Sequence, residues 1–269
     1  MKDFFDADSR PVCFFDSGIG GLNLLCECAV KLPATNFIYF ADNYNVPYGS
    51  FSQEKLLSTA DAFFCKMREY YPSAAVIACN TVTAQCADYL RAKYNFPIIG
   101  IQPAVKPAAI SAKNCVVLAT PATVSSKSLN ELIARCGNGV TGAVACPDLA
   151  GYIEKNVFCL DESELNGYLP EIDADAVVLG CTHYSFIKEI IRARYRCAVY
   201  DGVEGTAQRL VSILEKNGEI NKRDLNETEK STVNLFENNR KIRFIGGDEI
   251  KNRRVFELLF TQRQTTLGK

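Results

Sequence analysis

Histidine is the scarcest of the metal-binding residue types in this sequence. The chain has one histidine, His183, and its 12 cysteines include no Cys-x-x-Cys pair, the nearest spacing being Cys26-x-Cys28. Zinc sites need several ligands, usually with two of them closely spaced in sequence. A single histidine also excludes a metalloprotease motif of the HExxH type. We therefore expect no metal in this protein.

An excess of charge of one sign is also absent. Lys and Arg number 30 against 31 Asp and Glu, which gives a net charge of −1. Surfaces that coat nucleic acid and polybasic membrane anchors need a basic excess, so we expect no nucleic acid and no membrane as partner. No apolar run approaches the length of a membrane span, and residues 1–8 lack a signal-peptide core. These absences predict a cytoplasmic protein with free thiols.

Phosphate-binding loops are the third absence. Residues 16–21, Asp-Ser-Gly-Ile-Gly-Gly, read as a glycine turn between a strand and a helix. A G-x-G-x-x-G pattern would need glycine at position 23, which is Asn23, and no Gly-Lys-Ser/Thr sequence marks a P-loop. A tight turn, or close approach of the backbone to a ligand, explains these glycines. We expect no nucleotide and no other cofactor.

The chain does contain a repeated phrase. Residues 75–81 (Ala-Val-Ile-Ala-Cys-Asn-Thr) are an apolar run that ends in Cys79 and small polar residues, and residues 176–184 (Ala-Val-Val-Leu-Gly-Cys-Thr-His-Tyr) repeat this around Cys181. Each predicts a buried parallel strand that delivers a cysteine to its C-terminal end, where ligands bind in open α/β sheets. A cysteine at a strand end usually belongs to the core, but packing alone does not require polar residues after both thiols.

Strands and helices alternate along most of the chain, which predicts an α/β fold built from two related halves. The predicted strands lie at residues 11–16, 36–42, 75–79, 97–101, 115–120, 140–145, 176–181, 197–201, 233–236 and 242–245. The predicted helices lie at residues 22–31, after a cap at Ser52, and at 80–94, 123–136, 184–195, 204–218 and 249–260.

Two thiols that face one pocket from opposite sides suit the movement of a proton on and off a carbon atom. One acts as a thiolate base while the other, as a thiol, supplies a proton to the opposite face. A helix that begins after Cys79 or Cys181 would favour the thiolate through its positive end. Asp16 and His183 are candidate proton partners, one for each cysteine.

Polar groups near these thiols suit the binding of an anionic substrate. Backbone N–H groups can hold anionic oxygens, and the candidates lie near Ser17, Gly49, Asn80, Thr81 and Thr182. Another acidic residue, Glu154, follows a predicted strand, but its spacing alone favours a solvated surface glutamate.

Four motifs follow one another along the chain: Asp16-Ser17-Gly18-Ile19-Gly20-Gly21, Pro47-Tyr48-Gly49, Cys79-Asn80-Thr81 and Gly180-Cys181-Thr182-His183-Tyr184. Taken together in this order, they resemble the glutamate racemases. The resemblance spans nearly the whole chain and implies a cofactor-independent enzyme that interconverts L- and D-glutamate and supplies D-glutamate for peptidoglycan. It also implies two similar three-layer α/β domains related by pseudo-twofold symmetry, with the active site in the cleft between them. We assign residues 1–99 and 207–269 to the first domain and 100–206 to the second.

The resemblance also implies roles for individual residues. Cys79 is similar to the base that acts on D-glutamate and Cys181 to the base that acts on L-glutamate. Asp16 would then assist Cys79, and His183 would assist Cys181. Two further acidic residues, Asp42 and Glu154, match catalytic positions of the family. The residues that resemble substrate contacts are Asp16, Ser17, Tyr48, Gly49, Asn80, Thr81, Thr182 and His183.

Three alternatives remain at this point. Aspartate racemases share the two-cysteine layout, but glutamate after Cys-Thr is typical of them, whereas this chain has His183. A cysteine acyl hydrolase would use His183 as its base and would leave Cys79 without a role. A racemase-like binding protein would be expected to lack one of the two cysteines. A homodimer is common in the family and is a possible assembly here.

Overall fold

The computed structural model describes residues 10–136, 139–220 and 242–267. Its strands are β1 (Val12–Asp16), β2 (Phe37–Ala41), β3 (Ala74–Ile77), β4 (Ile98–Gly100), β5 (Cys115–Ala119), β6 (Val140–Ala145), β7 (Ala176–Gly180), β8 (Ala198–Tyr200) and β9 (Ile242–Ile245). Its α-helices are α1 (Leu22–Lys31), α2 (Gln53–Arg68), α3 (Asn80–Lys93), α4 (Val105–Ser111), α5 (Pro121–Val124), α6 (Lys127–Cys136), α7 (Leu149–Asn156), α8 (Glu162–Tyr168), α9 (Lys188–Tyr195), α10 (Val203–Lys216) and α11 (Glu249–Leu267).

The strands form two parallel sheets with the same internal order. The first sheet runs β4-β3-β1-β2-β9 and the second runs β6-β5-β7-β8. When β1 to β4 are matched in turn with β5 to β8, the order 4-3-1-2 is repeated as 8-7-5-6. Cys79 follows β3 and Cys181 follows β7, so the two cysteines occupy equivalent places in the two sheets. The predicted α/β fold with two similar halves is confirmed.

Each sheet is covered by packed side chains on both faces. Strands β1, β2, β3, β5 and β7 are buried along their whole length, as expected for parallel strands with helices on either side. Alternate residues of β1 point into two different clusters: Phe14 packs with helices α1, α10 and α11, and Phe15 packs with α2 and α3. The second sheet has the same two-sided core. Helix–sheet–helix layers therefore hold the strand ends in fixed positions.

Several predicted elements differ in detail from the observed ones. The helix predicted at 123–136 is split into α5 and α6, because the Ser126 hydroxyl accepts a hydrogen bond from the Leu129 N–H at 3.2 Å and caps the second helix. The segment predicted as a helix from residue 184 begins as a 3₁₀ helix, Thr182–Ile187. Helices α4, α7 and α8 were not predicted. The strand predicted at 233–236 lies outside the described residues, and the domain boundaries stay a prediction.

Candidate active site

The site lies where the C-terminal ends of strands from both sheets meet. Asp16 ends β1 of the first sheet, and Thr182 follows β7 of the second. The Thr182 hydroxyl donates to Oδ2 of Asp16 at 3.3 Å. Cys79 and Cys181 are both buried beside this contact, with 5% and 7% of their surface exposed. The structure therefore brings the two repeated motifs together at one place.

Cys79 stands between strand β3 and helix α3. It is the residue before the first turn of α3, and its Sγ donates to the Ser17 hydroxyl at 3.8 Å. Burial, reinforced by the negative charge of Asp16, raises the pKa of the Cys79 thiol to about 12, although a hydrogen bond from the Val82 N–H acts in the opposite direction. Cys79 is therefore held as a thiol, which is the form that can donate a proton.

Asp16 is completely buried beside Cys79. Its Oδ1 accepts a hydrogen bond from the Gly18 N–H at 2.8 Å, in a tight turn directly after β1. Burial raises the pKa of Asp16 to about 6, although the nearby charge of His183 and the bond from Gly18 favour the carboxylate. A carboxyl group with this pKa can give up or accept a proton near neutral pH.

His183 and Glu154 form a buried pair on the Cys181 side. His183 Nε2 lies 2.7 Å from Glu154 Oε2, and the side chains are 1% and 5% exposed. Burial alone would lower the pKa of His183, but the neighbouring Cys181 and the Glu154 carboxylate outweigh it and raise that pKa to about 10. Burial likewise opposes the charged form of Glu154, yet His183 lowers the pKa of Glu154 to about 2. The pair is therefore ionised at neutral pH, with an imidazolium next to Cys181.

Glu154 is fixed by donors on both of its carboxylate oxygens. Oε2 accepts the Ile19 N–H at 2.9 Å in addition to His183, and Oε1 accepts the Asn43 side-chain amide at 2.8 Å. The interpretation of Glu154 as a solvated surface residue is wrong, because only 4% of its surface is exposed. Its sequence spacing could not reveal this, since Ile19 and Asn43 come from segments far away in sequence. Asn43 was not predicted as a site residue, although its place directly after Asp42 at the end of β2 is a usable signal.

The glycine turn after β1 is required by close packing. A Cβ at Gly20 would lie 2.5 Å from the Thr182 Oγ1 and 2.7 Å from Nδ1 of His183, which is too close for any other residue without movement. The turn therefore allows the Asp16 segment to approach the Cys181 segment. The structure supports a tight turn, packed against the segment after β7, whereas close approach of this backbone to a ligand stays a prediction.

Asp42 and Tyr48 form a second polar group at the end of β2. The Tyr48 hydroxyl donates to Oδ2 of Asp42 at 2.7 Å, and both residues are buried. Gly49 follows, and a Cβ there would lie 2.8 Å from that of Thr120, across from the other sheet. Asp42 therefore reaches the site through Tyr48, and no hydrogen bond between the described atoms of Asp42 and either cysteine is present.

Three threonine hydroxyls meet beside the Cys79 motif. Oγ1 of Thr81 lies 3.0 Å from that of Thr120 and 3.2 Å from that of Thr123, and the last two are 2.9 Å apart. Thr81 was predicted as a site residue, whereas Thr120 and Thr123 were missed. Thr120 follows β5, so the rule that polar residues at strand ends face the cleft would have found it. Asn80 is buried in the same region.

Side chains that could bind a metal ion do not cluster in the part of the chain that the structure describes. Among residues 10–136, 139–220 and 242–267, no three His, Cys, Asp or Glu side chains are placed to hold a metal ion. All 12 cysteines of the chain lie in the described part and are free thiols. None of the helices formed by the described residues has the length and apolarity needed to cross a bilayer.

Known proteins resemble this chain in both sequence and structure. The family described as Asp/Glu/Hydantoin racemase matches residues 29–210. The glutamate racemase of Clostridium novyi (strain NT) is 40% identical over 247 residues, which cover 86% of this chain and 92% of that protein. The identity and the coverage are both too high for a match of one isolated motif.

Two solved structures share the fold over most of the chain. The crystal structure of glutamate racemase from Francisella tularensis subsp. tularensis SCHU S4 in complex with D-glutamate has a TM-score of 0.74 and 28% identity, covering 94% of both chains. That of the Escherichia coli glutamate racemase in complex with L-glutamate and the activator UDP-MurNAc-ala has a TM-score of 0.68 and 31% identity, covering 77% of this chain and 83% of that one. With two similar sheets, paired cysteine motifs and these relatives, the chain belongs to the Asp/Glu/Hydantoin racemase family.

Proposed function

We propose that this protein is a cofactor-independent racemase that interconverts L- and D-glutamate and supplies D-glutamate for peptidoglycan. The observation that carries the proposal is the equivalent placement of Cys79 and Cys181 at the ends of β3 and β7, beside one contact between the two sheets. The similarity to glutamate racemases from Clostridium novyi and Francisella tularensis supports glutamate as the substrate.

Each cysteine serves one face of the substrate's α-carbon. From L-glutamate, the Cys181 thiolate removes the α-proton, and the Cys79 thiol then donates a proton to the opposite face to give D-glutamate. In the reverse direction, Cys79 is the base and Cys181 the acid. A single base would require the carbanion to turn over within the site, and two bases remove that need. The raised pKa of Cys79 supports its role as the protonated partner in the first direction.

The two cysteines have different helpers. Asp16, with a pKa raised to about 6 by burial, assists Cys79, and the His183 imidazolium held by Glu154 assists Cys181. This division follows from position: Asp16 ends the strand beside β3, and His183 lies two residues after Cys181. Asp42 acts indirectly by orienting Tyr48.

Hydroxyl and amide groups hold the anionic oxygens of the substrate. Ser17, Asn80, Thr81 and Thr182 are buried at the strand ends beside the two cysteines, where their neutral donors can bind anionic oxygens. Tyr48 and Gly49 form the wall nearest Thr120. The homodimer that the family resemblance suggests remains a prediction.

The test is racemisation followed by circular dichroism. Purified protein is incubated separately with L- and D-glutamate, with a reducing agent and a chelator present, and with L-aspartate as the control substrate. We expect the circular dichroism signal to decay to zero whether the incubation starts from L- or D-glutamate. The signal of L-aspartate should decay much more slowly. A protein that is silent until a metal or cofactor is added would refute the cofactor-independent mechanism, and faster reaction with aspartate would refute the assigned substrate.

A further inference from the structure

The far side of Glu154 is contacted by helix α11, which is remote in sequence from both cysteine motifs. The Lys251 ammonium donates to the main-chain carbonyl of Glu154 and lies 3.3 Å from its Oε1. Glu154 is in the last turn of α7, where main-chain carbonyls have no partner within the helix. A cation at this position therefore satisfies a free carbonyl and pairs with the side chain of the same residue.

A buried pair of amides strengthens the same contact. Asn252 has no exposed surface, and its Nδ2 donates to Oδ1 of Asn43 at 2.9 Å. In return, Nδ2 of Asn43 donates to Oδ1 of Asn252 at 3.0 Å and to Oε1 of Glu154 at 2.8 Å. Buried amides are costly unless they are paired, so this reciprocal arrangement fixes the orientation of Asn43.

The turn before α11 brings the helix to this position. Gly246 and Gly247 have φ angles of +81° and +57°, a left-handed region that suits glycine. The next N–H, that of Asp248, donates to Oδ1 of Asn43 at 3.1 Å. The chain can therefore leave β9 and begin α11 directly against the residue that holds Glu154.

We infer that Lys251 and Asn252 are positioning residues that hold the Glu154 carboxylate in place for His183. The two oxygens of Glu154 divide their partners: Oε2 faces His183 and the Ile19 N–H, and Oε1 faces Asn43 and Lys251. Donors on Oε1 prevent rotation of the carboxylate, which would otherwise move Oε2 away from the imidazole. The catalytic consequence of this network rests on the proposed function, since it acts on the Cys181 side of the reaction.

The experiment uses the full-length protein in four forms. Lys251→Met removes the ammonium but keeps most of the side-chain stem, and Lys251→Arg restores a cation with N–H donors. Lys155→Met is the matched control, because Lys155 is adjacent to Glu154 in α7 but is exposed. Thermal unfolding of each variant confirms that it is folded before further measurement.

The first readout is the NMR signal of the only histidine in the chain, His183, in protein with ¹⁵N-labelled histidine. We expect the Nε2–H resonance to move in Lys251→Met and to stay near its wild-type position in Lys251→Arg and Lys155→Met. This readout does not depend on activity. A wild-type protein without racemase activity would therefore refute the proposed function alone, and the network would still be tested.

The second readout is kinetic. Loss of one charge-assisted bond should lower kcat/KM of Lys251→Met roughly ten-fold in both directions, which equilibrium ties together. The isotope effect should rise for 2-deuterated L-glutamate, whose proton Cys181 removes, and fall for 2-deuterated D-glutamate. A merely structural role would change the active fraction but not these ratios. The inference is overturned if folded Lys251→Met has the wild-type His183 resonance, or if it alters both isotope effects equally.

Discussion

Nε2 of His183 lies 2.7 Å from Oε2 of Glu154, and this buried contact joins the segment after β7 to helix α7. The pKa of Glu154 is lowered from 4.5 to about 2. Its contribution to the free energy of unfolding is therefore complete above pH 4.5 and is lost as pH falls through 2. The pKa of His183 is raised from 6.5 to about 10. Its contribution to the free energy of unfolding is therefore complete below pH 6.5 and is lost as pH rises through 10. The pair contributes most between these limits, at mildly acidic pH.

The first prediction concerns Glu154→Gln. Without the carboxylate, the effect of burial is opposed mainly by the neighbouring Cys181, so the pKa of His183 should fall from about 10 toward its ordinary value of 6.5. The measurement is a pH titration of the single histidine by NMR. Glu162→Gln, at an exposed position of α8, serves as the control and should leave the titration unchanged. A His183 that still titrates near 10 would contradict the pairing.

The second prediction concerns the stability of Asp16→Asn. The pKa of Asp16 is raised from 3.8 to about 6, so the native state binds the proton more tightly and loses stability as pH rises between these values. The amide cannot ionise, so the variant should be more stable than wild type by roughly 3 kcal/mol at pH 7.5 and show little gain at pH 4. Urea unfolding at both pH values measures this. An equal gain in the free energy of unfolding at both pH values would show that ionisation of Asp16 is not the cause.

The third prediction separates the helpers of the two cysteines. His183→Asn should slow proton removal from L-glutamate more, and Asp16→Asn should slow removal from D-glutamate more. Overall rates cannot distinguish the two, because equilibrium links the directions. Primary isotope effects on 2-deuterated L- and D-glutamate do distinguish them, and each variant should show its larger effect on a different enantiomer. Equal changes for both enantiomers in both variants would disprove the assignment.

The fourth prediction tests the two-base mechanism with Cys79→Ser and Cys181→Ser. A serine hydroxyl is a far poorer base than a thiolate at neutral pH, so either change should abolish racemisation. Elimination of a leaving group from a substrate analogue needs only one base, so one variant should retain it. In deuterated water, wild-type product should carry solvent deuterium at an early stage while the remaining substrate keeps its protium. Full racemisation by either variant would show that one base suffices.

Much of the fold could be predicted from local patterns. The strands at Val12–Asp16 and Ala176–Gly180 are short apolar runs bounded by polar residues, and helix α1 was predicted at its observed limits. The short helices were missed for physical reasons. Helix α4 contains Pro107, which is a poor helix former, and α8 spans only 7 residues, with its start fixed by the Asp161 carboxylate accepting the Ser163 N–H.

The candidate site could be predicted only in part. Cys79 and Cys181 are visible because each ends a strand in a repeated phrase. The environment of Glu154 is not visible, because its partners Ile19 and Asn43 are 135 and 111 residues away in sequence. The spacing of residues along α7 gives no information about these two partners. The place of Glu154 in a segment after a predicted strand was a weak signal, and the family resemblance, which compares whole motifs, pointed to this glutamate more directly.

The place of β9 in the first sheet also constrains how the protein folds during synthesis. The second sheet uses residues 115–200 alone, so it can close while later residues are still being added. The first sheet cannot be completed until β9 pairs with β2, and α11 follows β9 in the chain. Until then one edge of β2 has no partner strand. Strands of other chains can pair with this edge and cause aggregation. The first sheet and the support of the Glu154 carboxylate therefore both wait for β9 and α11, which follow the whole second sheet in the chain.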